Sequence, residues 1–399
     1  MVCGRVVIEV RKAGFVNKGA ELMLRAILSR LATAYPEALL TMTPTRANGD
    51  QPFRKVVDAG FYPKAALYWK RIQWGNIASI APWKLREMYG VVLDRQVDVV
   101  LDAAGFAYSD QWGVDAMREL AQSARRWKRH GTKLIMLPQA FGPFESALSR
   151  RFISRIVESA DLVMPRDRIS HEHLIAVVGE QPHVRRYPDF TNLLEGVVPE
   201  AFDPEVHRVC IVPNSRMIDK VSPRIGAAYL PFMQACARYL LEKRARPFIL
   251  VHEGTQDRRL ADQISAGAGD VPVLTIEDPL KIKGVLGASH ATIGSRFHGL
   301  VSALSQGVPS IATGWSHKYE ELFSEYGYPE GVVSVDMPEQ RLTSTIDAIV
   351  DDEPNAALRA RLLTKADALK AQSEAMWDEV HSFLATATRS SACVAALNT

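Results

Sequence analysis

Short runs of β-branched and aliphatic residues alternate with longer amphipathic stretches along most of this chain, and that alternation restricts the fold more than any other feature. It is the pattern of parallel sheets covered by helices, since parallel strands need long crossovers and are buried on both faces. In the first half, strands are expected at Arg5–Val10, Val97–Asp102, Lys133–Pro138 and Asp161–Met164, with Val184–Tyr187 strand-like. Helices are expected at Ala20–Ala34, Trp112–His130, Ser146–Ser159 and Ile169–Val178. The rhythm breaks around Leu194–His207, where Gly196, Pro199 and Pro204 interrupt it. It then restarts, with strands at Arg208–Pro213, Pro247–Val251, Val271–Thr275, Ala291–Gly294 and Val308–Ala312. The helices of this half are expected at Pro223–Lys243, Arg258–Ala266, Leu280–Ala288, Phe297–Gln306 and Lys318–Tyr326, with a long helical region from Pro338 to about Leu384.

A length of 399 residues exceeds what one hydrophobic core supports. The expectation is therefore an α/β protein of two Rossmann-like doubly wound domains facing across a crevice. They span residues 1–196 and 207–384, and a flexible tail covers 385–399. The segment Phe53–Tyr89, with three of the seven tryptophans, fits neither period cleanly and is assigned to helices.

A net charge of +3 with dispersed basic residues argues against nucleic acid as a partner. The four cysteines are far apart and lack metal-ligand spacing, which fits a reducing cytoplasm, and Cys210 reads as a buried thiol. No apolar run reaches the ~18–20 residues that span a bilayer, so a soluble cytoplasmic protein is expected, with peripheral membrane contact left open.

In doubly wound sheets chemistry sits on loops at the carboxyl ends of strands. The strongest such segment is Gly294-Ser295-Arg296-Phe297-His298-Gly299, which follows a strand and opens a helix. A helix start favours an anion, Arg296 adds a bidentate cation, and His298 titrates near neutrality. The loop after the next strand carries Lys318, a second cation for the same anion. In the first half, Arg166 precedes the expected N-cap Asp167, and Gln139 is presented by a rigid Pro138–Phe144 turn. Asn17 lies in the first strand-to-helix loop, and Asp189 follows a strand-like run as a general base or a ligand for sugar hydroxyls. His171 and His173 face apart on a helix and suggest no metal site.

Five segments in this order resemble the polysaccharide pyruvyl transferase family: Asn17-Lys18-Gly19-Ala20-Glu21-Leu22, Gln139-x-x-Gly142-Pro143, Arg166-Asp167-x-x-Ser170, Ser295-Arg296-Phe297-His298-Gly299 with Gly307-x-Pro309, and Lys318. The resemblance spans roughly residues 5–330 and departs at Ala20, where many members carry an acid. It implies the two-domain arrangement called GT-B, with an acceptor-binding first domain and a donor-binding second. It implies phosphoenolpyruvate as donor, a sugar hydroxyl pair, free or lipid-linked, as acceptor, and a pyruvate ketal as product. Ser295, Arg296, His298, Gly299, Lys318 and Arg166 are then the donor residues, and Arg166, Arg296 and Lys318 clamp it across the crevice. His298 is the catalytic acid–base group, helped by Arg296 and Arg166, while Asn17, Gln139 and Asp189 serve the acceptor. No metal and no further cofactor are expected.

Two rival readings stand beside it. A nucleotide-sugar glycosyltransferase of the same architecture usually carries a glutamate seven residues before Pro309, where this chain has Ser302. A non-catalytic binding protein on a decayed transferase fold would have been expected to lose its cations, and all three are present.

Overall fold

The computed structural model describes residues 5–69, 72–314 and 316–387, which divide into two compact units. The first comprises the described part of Met1–Asp189 and Glu374–Thr399, the second Phe190–Ser373.

The first unit is built on a six-stranded sheet of β1 (Val7–Arg11), β2 (Leu39–Met42), β3 (Tyr62–Pro63), β6 (Val99–Asp102), β7 (Lys133–Gln139) and β8 (Leu162–Pro165). Their order is β3-β2-β1-β6-β7-β8, and every pairing is parallel. A separate antiparallel hairpin, β4 (Tyr68–Trp69) with β5 (Ile72–Gln73), follows β3. The helices are α1 (Lys18–Ala34), α2 (Phe53–Asp58), α3 (Trp83–Met88), α4 (Asp115–His130), α5 (Ala147–Ser159) and α6 (Arg168–Val178). Strands β1 and β6 to β8 are buried almost throughout, as strands covered on both faces must be.

The second unit repeats the scheme with five parallel strands: β9 (Val209–Val212), β10 (Pro247–Val251), β11 (Val273–Thr275), β12 (Ala291–Gly294) and β13 (Ser310–Ala312), in the order β11-β10-β9-β12-β13. Its helices are α7 (Arg216–Asp219), α8 (Pro223–Glu242), α9 (Gly254–Ala268), α10 (Pro279–Ala288), α11 (Phe297–Leu304), α12 (Lys318–Glu325) and α13 (Glu339–Val350). The last helix, α14 (Asp352–Thr386), starts here: Leu358, Leu362, Ala366 and Leu369 join this unit's core.

Most expected elements are present within a residue or two, and four differences have clear causes. Strands β2 and β3 have no distinct period of their own and become strands by pairing outward from β1. Gly113, with φ +75°, separates a short 3-10 turn at Asp110–Trp112 from α4, where one helix from Trp112 was expected. The break at Leu194–His207 is not a free linker. Val197 donates its N–H to Leu280 O at 2.9 Å, and a Cβ on Gly196 would stand 2.5 Å from Gly284 N, so the stretch packs closely on α10. The end of α14 belongs to the first unit, where Tyr35 donates to His381 O at 3.1 Å and Tyr187 to Glu379 at 2.8 Å. That helix also continues through the start of the expected 385–399 tail, of which residues 388–399 lie outside the described residues.

Candidate functional site

In each sheet the strand order reverses once, and the carboxyl edge at that reversal is where an open α/β sheet forms its ligand crevice. In the second unit the reversal lies between β9 and β12, so the loops Pro213–Asn214–Ser215 and Ser295–Arg296 meet there. Ser295 is fully buried and organises the loop from beneath. Its hydroxyl accepts from Tyr229 OH at 2.9 Å, and its carbonyl accepts from Asn214 Nδ2 at 2.7 Å and Tyr319 OH at 2.8 Å. Burial raises the Tyr229 phenol well beyond its ordinary pKa, so it stays a donor to Ser295 at any working pH.

Arg296 occupies the N-cap position of α11 without making a side-chain cap. Its guanidinium is engaged instead by two carboxylates from the loop and helix after β10. Nε and Nη2 meet Asp257 Oδ2 at 2.8 and 2.5 Å, and Nη1 meets Glu253. Burial opposes the Arg296 charge, but Glu253 and then Asp257 outweigh it and hold its pKa above the ordinary arginine value. The two acids differ: the Asp257 side chain is 0% exposed and also accepts from Ser215 N at 3.0 Å, whereas Glu253 is 23% exposed.

His298 lies in the first turn of α11, half-buried, with its ring edge-on to Phe297 at 5.4 Å between centroids. Lys318, the first residue of α12, places Nζ 5.4 Å from the ring centroids of both Phe297 and Tyr319, which brings this cation to the same helix start. Gly299 leaves room beside the turn: a Cβ there would sit 3.5 Å from His252 Cδ2, in ordinary contact. The second unit thus gathers Ser295, Arg296, His298, Gly299 and Lys318 around one helix N-terminus, whose dipole adds partial positive charge. Sequence reasoning missed Glu253, Asp257, Asn214 and His252. All four follow β9 or β10, so the strand-end rule that selected Arg296 would have found them.

In the first unit, Arg166 and Asp189 are both buried, at 3% and 5% exposure, and pair with each other at 3.0 Å. The two residues read from sequence as a donor cation and an acceptor-side acid are therefore ion-paired with each other. Asp167 caps α6, accepting from Ser170 N at 2.7 Å and Ser170 Oγ at 2.9 Å, and Ser170 Oγ accepts from Phe141 N at 3.0 Å. The Arg166-Asp167-x-x-Ser170 segment is thereby tied to the Gly142–Pro143 turn. Gln139 is fully buried with Nε2 3.3 Å from both Asp102 O and Oδ1, while its Oε1 accepts no hydrogen bond among the described residues. Asn17 caps α1, accepting from Ala20 N at 3.0 Å.

This unit's sheet reverses between β1 and β6, and there Arg11 bridges Asp102 at 3.0 Å and Glu119 at 2.5 Å, while Tyr108 OH donates to Asp102 at 2.8 Å. Burial alone would raise the Glu119 carboxyl, but Arg11 dominates and holds it at about 2. Among the described residues no group of three or more His, Cys, Asp or Glu is placed to hold a metal ion.

The profile of the polysaccharide pyruvyl transferase family matches residues 17–317, three-quarters of the chain and all of the segments above except Lys318. The chain belongs to that family. Its activity class is that of a transferase in polysaccharide biosynthesis. No curated protein matches it. Solved structures that resemble this pyruvyl transferase family member include a UDP-GlcNAc 2-epimerase from Neisseria meningitidis bound to UDP-GlcNAc, 9% identical, with a TM-score of 0.57 over 94% of this chain and 99% of that one. Another is Anabaena HepE in complex with UDP and glucose, 12% identical, with a TM-score of 0.55 over 95% and 100% of the two chains. The S. aureus MnaA–UDP structure is 12% identical, with a TM-score of 0.57 over 95% and 97%. At such identities the likeness shows the fold alone: two Rossmann-like units of the GT-B type.

Proposed function

We propose that the protein transfers the pyruvyl group of phosphoenolpyruvate onto two hydroxyls of a sugar acceptor, making a cyclic ketal and releasing phosphate. The observation that carries this reading is the gathering of Arg296, His298 and Lys318 at the start of α11, at the reversal of the second sheet. A small, highly charged acid suits such a site, because it needs several cations and a helix terminus in a small volume.

In the proposed sequence, a proton is delivered to the methylene carbon and the first sugar hydroxyl attacks C2. Phosphate then leaves, and the second hydroxyl attacks the same carbon. One proton ends on the new methyl group and the other leaves with phosphate, so the two hydroxyl protons are accounted for. His298 is the acid–base group, because an imidazole in the first turn of α11 can both give and take a proton. Lys318 and the helix start stabilise the departing phosphate. Arg296 enters by exchange: the donor takes the arm now held by Glu253, while buried Asp257 keeps the other edge of the guanidinium fixed. The donor is a soluble metabolite, so the reaction as proposed belongs in the cytoplasm.

The glycosyltransferase reading finds less support. Ser302 lies inside α11 at 2% exposure and offers no carboxylate to a ribose. Thermal-shift titration separates the two readings. Phosphoenolpyruvate is expected to raise the melting temperature and a panel of nucleoside diphosphates is not; the reverse result refutes the pyruvyl reading.

A further inference from the structure

Helix α13 passes into α14 across a single residue, Asp351, and the faces the two helices share are matched about that corner. Counting outward from it, Ala348 and Pro354 come first, Thr345 and Ala357 next, and Arg341 and Arg361 outermost. On each helix these positions follow the i, i+3, i+4, i+7 spacing of one face, and together they line a cavity of about 620 Å³ in the second unit. The segment between α12 and α13 supplies the remaining side. There Val333 N donates to Ala312 O at 2.8 Å, which carries the sheet one step beyond β13, and Val332, Val333 and Tyr328 face the cavity. Its size lies within the range of roughly 300–1,000 Å³ in which small molecules bind.

The walls change character from the corner outward. Ala348, Pro354 and Ala357 are small and apolar. The hydroxyls of Ser344 and Thr345 donate to Arg341 O at 3.0 and 2.8 Å, so they are satisfied by their own helix and ask nothing of a ligand. Charge is confined to the outer end. Arg361 donates to Glu330 at 2.8 Å and stands 5.5 Å from the Tyr328 ring centroid. No side chain among the described residues pairs with the Arg341 guanidinium, so the two arginines and one glutamate of the lining leave one positive charge unmatched. A cavity stopped at one end by a helix corner admits the end of a molecule and excludes a helix running through it. An apolar inner end calls for a hydrocarbon chain, and a single unmatched guanidinium outside it calls for a single carboxylate.

We propose that this cavity binds a long-chain carboxylate, its chain toward Asp351 and its head on Arg341. The site shares no residue with the cluster at α11 and is independent of the pyruvyl transfer reading. The test is fluorescence titration of the full-length protein with cis-parinaric acid, a fluorescent long-chain carboxylate, below its micelle concentration. Wild type is expected to bind it saturably, about one per chain, and to bind its uncharged methyl ester about tenfold more weakly. Arg341→Glu should weaken binding about tenfold, and Ala357→Phe, which fills the cavity, should remove it. Both side chains are exposed, so circular dichroism should show the same melting temperature as wild type. Absence of saturable binding, an ester that binds as tightly as the acid, or undiminished binding by either variant overturns the proposal. So does a dimer in sedimentation velocity that Ala357→Phe dissolves, because a second copy would then be the occupant.

Discussion

Glu253 is the residue whose replacement tests the donor site most directly. Arg296 carries one positive charge against two carboxylates, so the cluster as folded is formally −1 before any donor arrives. A donor that takes the Nη1 arm must displace Glu253 and then sit beside its carboxylate. Unit charges about 6 Å apart interact by roughly 3 kcal/mol at an effective dielectric of about 20 and by less than ~1 kcal/mol in water. Glu253 is 23% and Arg296 12% exposed, so the repulsion falls between those limits. Removing it with Glu253→Gln is expected to tighten phosphoenolpyruvate binding by about 1.4 kcal/mol, which is about tenfold in Kd. Calorimetric titration at low and high salt measures this, and the gain should shrink at high salt because the site is partly exposed. Asp257→Asn is the contrasting variant. Asp257 is fully buried and also holds Ser215, so its loss should lower the melting temperature and give no such gain in binding. A folded Glu253→Gln protein whose Kd is unchanged or weaker would refute the exchange of Glu253 for donor.

The other predictions follow from the same charges. Arg166→Ala or Asp189→Ala should each cost about 3–5 kcal/mol in urea unfolding, because each removes one partner of a buried ion pair. A single variant as stable as wild type would show that the pair is not closed in solution. His298→Ala should lower kcat at least about 100-fold while leaving phosphoenolpyruvate affinity within a few fold; full turnover would remove His298 from the chemistry. Glu119 falls from an ordinary 4.5 to about 2 in the folded protein. As a depressed acid it adds stability fully above about pH 5, roughly 3 kcal/mol, and loses it as the pH falls toward 2. Glu119→Gln should therefore narrow its gap to wild type across that acid window in pH-dependent melting, and a gap that stays constant would exclude the Arg11 pair as its source.

The alternation of periods in the sequence determined the two Rossmann-like units and the strand–loop–helix context of Arg296, because backbone periodicity and the strand-end rule act over a few residues. Ala291–Gly294 and the helix start at Phe297 are where that reading puts them. Asn17 and Asp167 were legible as loop and cap residues for the same reason, since an N-cap reaches only three residues along the chain. Strands β2 and β3 were not legible, because a two- or four-residue strand exists only through its neighbour. Tertiary structure alone decided the state of the cations. Arg296 looked like an open fork in sequence and is held by Glu253 and Asp257 from another loop; Arg166 looked like a second clamp and is ion-paired with Asp189. Loops far apart in the chain meet where a sheet reverses its order, and the charge a ligand would feel there is the sum over all of them.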